Sequence, residues 1–368
     1  MDVNSFVIGY NKGKASGGGM KGFHKVQFFN DDRTTLLYTV FVPTGANVIY
    51  AGDTPVSAED ATFLFTGFEP SPTNVTEDMD CYAVYSPVRS LEESSWEAIA
   101  RVSADGTAQN YFAIGDTKMI HIEGKVGTVQ VNGDYGVYIL GFDHNEELEG
   151  KGIHFGTFKS ANGVDLAFID SKLNNSMTSG KYFNINHAGD STHGGWAGCD
   201  MRYDILGSTD NAPTGYNTKP AVGRLGYDPS ESCTTSPVAD TLMAALPADL
   251  RAVMKPMTKY TDNIGNEVNT EEAVTATVDY LPLLAEFEIK GLRSKANQYE
   301  QNKQKQYDYY ISGNSPKKYR FDDSTKTTTW WLRSPKVSTW QHTMYSGGDF
   351  VGEMQGCYCQ GLAPIFKV

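Results

Sequence analysis

The sequence predicts an α+β, mostly β protein, with a small β module followed by one large domain. Three observations carry that expectation. Glycine supplies 37 of the 368 residues, a tenth of the chain against a usual ~7%, and turn-rich chains need it. Tyrosine and phenylalanine are abundant, at 21 and 18 residues, and aromatic side chains favour strands. Short apolar runs also alternate with turn residues along much of the chain, whose length exceeds the ~100–200 residues of one ordinary domain.

Composition narrows the function. A net charge of −13 disfavours an electrostatic grip on phosphate backbones or anionic lipid, which needs clustered Lys and Arg, so no nucleic-acid partner is expected. No run approaches the ~18 apolar residues of a membrane span. The opening Met1–Tyr10 has no basic or long apolar leader, so synthesis without export is expected. The five cysteines are odd in number and form no CxxC pair, which reads as reduced thiols.

Residues 1–22 read as an anchor segment (Phe6, Val7, Ile8, Tyr10) and a Gly-rich tether, Lys12–Gly19. Residues 23–87 read as a compact β module with strands at His24–Phe29, Leu36–Val42, Phe63–Phe68 and Cys81–Tyr85, and a hairpin turn at Asn30-Asp31-Asp32. Residues 88–368 contain no linker and read as one domain. Its strands are expected at Tyr111–Ile122, Thr128–Val131 and Tyr135–Phe142. Residues 174–235, rich in Asn, Gly, Ser and Thr, read as long surface loops with Trp196 as anchor. Helices are predicted at Ser236–Ala245, with Ser236 as cap and Pro237 at the first helical position, and at Pro247–Met254.

Chemistry-bearing groups are sparse. Glu286-Phe-Glu288 and Asp322-Asp323 are paired acids, and on a strand residues two apart share a face, which would permit hydrolytic acid/base work. No Gly-x-Ser-x-Gly elbow frames a nucleophile. Phe142–Glu147 and His187–His193 gather metal donors without an EF-hand or H-E-x-x-H frame, so both read as polar loops. Cys357 and Cys359 read as small buried hydrophobes. No catalytic residue, metal or cofactor is expected.

The carboxyl-terminal region is the most informative. Trp330-Trp-Leu-Arg-Ser-Pro335 reads as an apolar strand ending in a turn, and Gly361–Val368 as a terminal segment docked into a core. The polar, aromatic stretch between them has the composition of a binding surface. Its candidate ligand-binding residues are Ser338, Thr339, Trp340, Gln341, His342, Tyr345, Asp349, Phe350, Glu353, Gln355 and Tyr358.

Several resemblances follow from these motifs. Phe65-Thr-Gly-Phe-Glu-Pro70, Asn74–Asp78 and Cys81–Tyr85 resemble the Listeria-Bacteroides-type surface repeat, which implies a β-grasp-like spacer. Tyr111–Lys118, Gly141–His144, Leu246–Leu250, Lys255–Lys259, Leu283–Glu288, Trp330–Pro335 and Gly361–Val368 resemble an uncharacterised domain family of gut Firmicutes and their phages. The closing WWLRSP and APIFKV segments are similar to the framework of C-type-lectin-like folds, including variable proteins diversified by retroelements. Formylglycine-generating enzymes share that fold, but the Cys357/Cys359 spacing does not match their cysteine pair. Asn4–Tyr10 with its tether resembles the start of phage tail or baseplate proteins.

Together the resemblances imply a homotrimeric tail-tip or receptor-binding protein of the virion. Residues 1–22 would dock to other tail proteins, and the carboxyl-terminal region would bind a glycan or protein receptor on the host cell. A polysaccharide-degrading tail enzyme using Glu286, Glu288 or Asp322 is the alternative, and a bacterial surface adhesin is a third reading.

Overall fold

A computed structural model describes residues 22–58, 63–87, 90–127, 129–168, 192, 194–199, 201–210, 231–265, 268–337, 340–355 and 360–368. The chain divides into two compact units, Met1–Arg101 and Val102–Val368. It is mostly β, with several sheets and few helices.

In the first unit, strands β1 (Phe23–Phe29), β2 (Leu36–Pro43), β3 (Phe63–Glu69) and β4 (Met79–Pro87) form one sheet in the order β2-β1-β4-β3. These are the four predicted strands. Alternation along β1 buries Val26 and Phe28 against Val40, Val42, Val75 and Cys81, as the period of two requires. The turn after β1 is fixed by Asp32, whose Oδ1 accepts from Thr34 N at 2.9 Å and Thr35 N at 2.8 Å. Tyr50 and Phe68 pack their rings edge-on against Phe28, and Phe65 packs edge-on against Phe68.

The second unit is built on an antiparallel sheet, β16-β7-β6-β5. Its members are β5 (Thr117–Val126), β6 (Val129–Phe142), β7 (Ile153–Lys159) and β16 (Ile365–Lys367). The strands expected at Thr128–Val131 and Tyr135–Phe142 are one long strand, because β5 pairs continuously with residues 129–138 and leaves no break at Gly133. Between β7 and β16 the chain forms short sheets: β8 (Leu166–Ala167) with β11 (Lys318–Arg320) and β12 (Thr327–Thr328), and β9 (Met257–Asp262) with β10 (Val274–Asp279). A third comprises β13 (Trp330–Val337), β14 (Trp340–Met344) and β15 (Val351–Gln355). The core brings Tyr138, Leu140, Met257, Tyr307, Trp330, Leu332, Met344 and Ile365 together. The WWLRSP and APIFKV segments are thus interior elements.

The helices are short: α1 (Trp96–Ala104), α2 (Glu146–Glu149), α3 (Leu242–Ala245), α4 (Ala248–Val253), α5 (Glu286–Lys290) and α6 (Asp308–Ile311). None among the described residues is long and apolar enough to cross a membrane.

Three expectations are corrected. The helix placed at Ser236–Ala245 begins only at Leu242, because Thr241 Oγ1 caps it by accepting from Ala244 N at 3.3 Å, while Ser236 bonds Glu231 instead. Pro247 is the N-cap of α4 and not its first residue, so the helix begins one residue later than predicted. The described residues from 194 to 210 are not a surface loop, since Trp196, Cys199, Met201 and Ile205 are fully buried. Trp196 serves as the anchor, with its indole N–H donating to Asp279 Oδ2 at 3.1 Å. Residues 1–21, the histidine pair at 187 and 193, and Cys357 and Cys359 lie outside the described residues.

Candidate functional site

A groove of about 570 Å³ runs beside α5 and β15, lined by Glu286, Lys290, Lys295, Asp349, Phe350 and Glu353 among others. Local sequence explains how its walls are held. α5 stops at Gly291, which has a φ of 64° that favours glycine. The segment after it folds back onto Glu286, which accepts from Ser294 N at 2.9 Å, Lys295 N at 2.9 Å and Ala296 N at 2.8 Å, and from the Ser294 hydroxyl. Burial raises the Glu286 pKa, but these donors outweigh it and hold the carboxyl below its ordinary range.

The opposite wall is the β14–β15 hairpin. Its turn closes through Tyr345 N to Phe350 O at 3.1 Å and Gly348 N to Tyr345 O at 2.8 Å. Cross-turn pairing stacks the Tyr345 and Phe350 rings with centroids 4.6 Å apart and planes at 17°. They remain 47% and 53% exposed. Lys290 Nζ ties α5 to this tip by donating to Asp349 O at 2.9 Å. Glu353 pairs with Lys295 at 3.4 Å and with Lys336. Burial raises its pKa, and the two ammonium groups more than reverse the effect.

His342 lies directly opposite Glu353 in the β14–β15 register, so the two side chains share a sheet face. It is wholly buried. Burial pushes its pKa down to about 4, against the opposing pull of Glu286 and Glu353.

Every groove residue lies in the part of the chain, residues 177–368, that matches the profile of a family described as a domain of unknown function, DUF6273. The chain belongs to the DUF6273 family. Neither a curated protein nor a solved structure gives a significant match. The motifs at Tyr111–Lys118 and Gly141–His144 precede the matched DUF6273 segment.

The candidate residues named from sequence separate within the DUF6273 domain. Asp349, Phe350 and Glu353 line the groove, and Tyr345 stacks on Phe350. The Gln341 and His342 side chains are interior, because β14 is covered on both faces from Gln341 to Met344. Gln341 Nε2 donates to Leu332 O at 2.7 Å. Trp340 and Gln355 are backbone partners across β14 and β15. Ser338, Thr339 and Tyr358 lie outside the described residues. Lys290 and Lys295 complete the groove and were not singled out from sequence, since a lone exposed lysine carries no pattern.

A second polar site lies inside. The strand reading of Glu286-Phe-Glu288 is corrected, because both acids sit on helix α5, where residues two apart do not share a face. Glu288 turns inward to Arg333, which donates from Nη1 at 2.6 Å and Nη2 at 3.0 Å. Lys259 Nζ reaches Glu149 at 2.5 Å, Glu288 at 2.9 Å and the Tyr307 hydroxyl at 2.9 Å. His144, read as part of a polar loop, is buried and stacks on Tyr307 at 3.6 Å. His144, Glu149 and Glu288 bring one ligand atom each within 4.8 Å of one another. The Lys259 ammonium already bonds both carboxylates, so it supplies the cation that these anions need.

Proposed function

We propose that the chain is a non-catalytic receptor-binding protein that attaches to a bacterial surface glycan through the groove between α5 and the β14–β15 hairpin. The observation that carries this reading is the stacked Tyr345–Phe350 pair, half exposed at a groove furnished with charged side chains. A large exposed aromatic surface is costly to keep in water, and rings beside polar groups are what a sugar face stacks on. Mixed lysines and carboxylates add hydrogen-bonding capacity around that platform.

The wider assignment draws on sequence resemblance. The Asn4–Tyr10 opening supports a docked tail protein, the surface-repeat likeness supports a spacer module, and the WWLRSP and APIFKV motifs support a C-type-lectin-like head. A homotrimer in the virion, attached through residues 1–22, belongs to the same proposal.

The residues that a polysaccharide-degrading enzyme would use are otherwise engaged. Glu288 is ion-paired in the interior, Glu286 is saturated by four donors, and Asp322 is bound by Arg320 Nε at 2.8 Å. Two of the groove carboxylates, Glu286 and Glu353, have lowered pKa values, opposite to the raised pKa of a general acid. That favours binding over hydrolysis.

Adsorption of the labelled protein to cells of gut Firmicutes tests the reading. Phe350→Ala is expected to reduce cell-bound label by about tenfold, in line with loss of a central aromatic contact. Equal labelling by both proteins across all strains that the parent binds would refute it.

A further inference from the structure

His342 is fully buried, yet neither ring nitrogen has a hydrogen-bond partner among the described residues. Leaving such a group unmet is costly, and native interiors satisfy the great majority of their polar atoms. The ring shares a sheet face with Glu353 and Val351, both groove residues. Its charged surroundings are Glu286, Glu353, Lys336 and Lys295, of which all but Lys336 line the groove. An apolar residue would fill the space without that cost, so the imidazole points to a partner arriving from the groove.

We propose that His342 is a ligand-binding residue of this groove, and that the ligand is a carbohydrate whose hydroxyl groups complete the hydrogen bonds of the ring. This rests on the binding function proposed above and adds to it the class of chemical group that is read. A neutral imidazole offers one donor and one acceptor. Two sugar hydroxyls on opposite sides of the ring, one donating to the bare nitrogen and one accepting from the N–H, match both. A carboxylate only accepts and an ammonium only donates, so either leaves one nitrogen unmet. Glu353 and Lys336, both partly exposed, are the side chains that give way as the hydroxyl enters. Phe350 then holds the sugar face while His342 reads an edge.

The test compares the full chain with His342→Leu, His342→Gln and Phe350→Ala on a glycan array carrying neutral, amino and uronic-acid sugars, with the thermal unfolding of each free protein. His342→Leu is expected to bind about tenfold more weakly, the scale of one lost hydrogen bond with its desolvation. It should unfold at the same or a higher temperature than the parent, because an unpartnered polar group has gone. His342→Gln, which retains a donor and an acceptor, should recover part of the binding. Parental binding by His342→Leu while Phe350→Ala fails overturns the role of His342 and leaves the binding function standing. A lower unfolding temperature for His342→Leu with unchanged affinity shows a structural partner and overturns it equally. Parental binding by all three variants, or no binding by the parent, overturns both.

Discussion

Arg333 and Glu288 meet through two parallel hydrogen bonds, at 2.6 and 3.0 Å, with both side chains completely out of solvent. The pair joins β13 to α5, the helix that forms one wall of the groove. Arg333 also donates to Leu283 O at 2.7 Å and Thr261 Oγ1 at 2.5 Å, so one guanidinium fixes three segments.

Removing one member strands the other. Glu288→Gln leaves Arg333 without its charge partner and weakens the hold on Lys259, which should cost roughly 3–5 kcal/mol, as for other broken buried pairs. Chemical denaturation checks this, and a loss below about 1 kcal/mol would show that the pair is solvated.

Acid should destabilise the second unit through its histidines. His144 and His342 are buried, and burial lowers their pKa values to about 3 and about 4 from an ordinary 6.5. The unfolded chain therefore takes up protons from about pH 6.5 downward while the folded chain does not. Stability from each group is intact above pH 6.5 and falls with pH, by about 3 kcal/mol for His342 by pH 4. His342→Leu should show a shallower loss across that window than the parent; identical slopes would contradict the assignment.

Glu300 acts in the opposite sense. Burial pushes its pKa up to about 7 from 4.5, although Asp262 N and the Ser334 hydroxyl donate to it. The folded state then holds a proton that the unfolded state releases above pH 4.5, so stability falls as pH rises toward 7, by about 3 kcal/mol. Glu300→Gln should remove that decline. Parallel stability curves for variant and parent between pH 4.5 and 7 would rule it out.

Much of the architecture was legible because period and turn chemistry are local. The four strands of the first unit and the docking of the terminal segment follow from apolar runs between turn residues. The Glu286–Glu288 helix was missed because its five residues present no helical period and the pair suits either geometry. Thr241 displaced Ser236 as cap because its hydroxyl accepts from Ala244 N, while the Ser236 hydroxyl is tied to Glu231. For the site, Phe350 was visible as an aromatic among small polar residues. Lys290 and Lys295 were not, since they come from a distant segment and meet the hairpin only through the fold. His342 was named, but its burial depends on two covered sheet faces that no alternation pattern reveals.

The hairpin tip offers an independent check on the groove. Gly348 has a φ of 79°, and a Cβ there would lie 2.7 Å from Lys317 N. Gly348→Ala should cost roughly 1–3 kcal/mol from backbone strain and shift the Phe350 platform. Affinity for cells should fall with stability, as measured by adsorption and denaturation on the same preparations. A stable variant that adsorbs normally would dissociate the turn from the site.

The most direct measurement is the affinity of the purified chain for envelope glycans of cells that it labels, read by calorimetry for the parent and for Tyr345→Ala with Phe350→Ala together. The stacked pair is exposed, so its removal should leave folding intact. The account requires affinity to drop by at least about thirtyfold, the scale of a lost aromatic hot spot. Undiminished affinity in a folded double variant would contradict it.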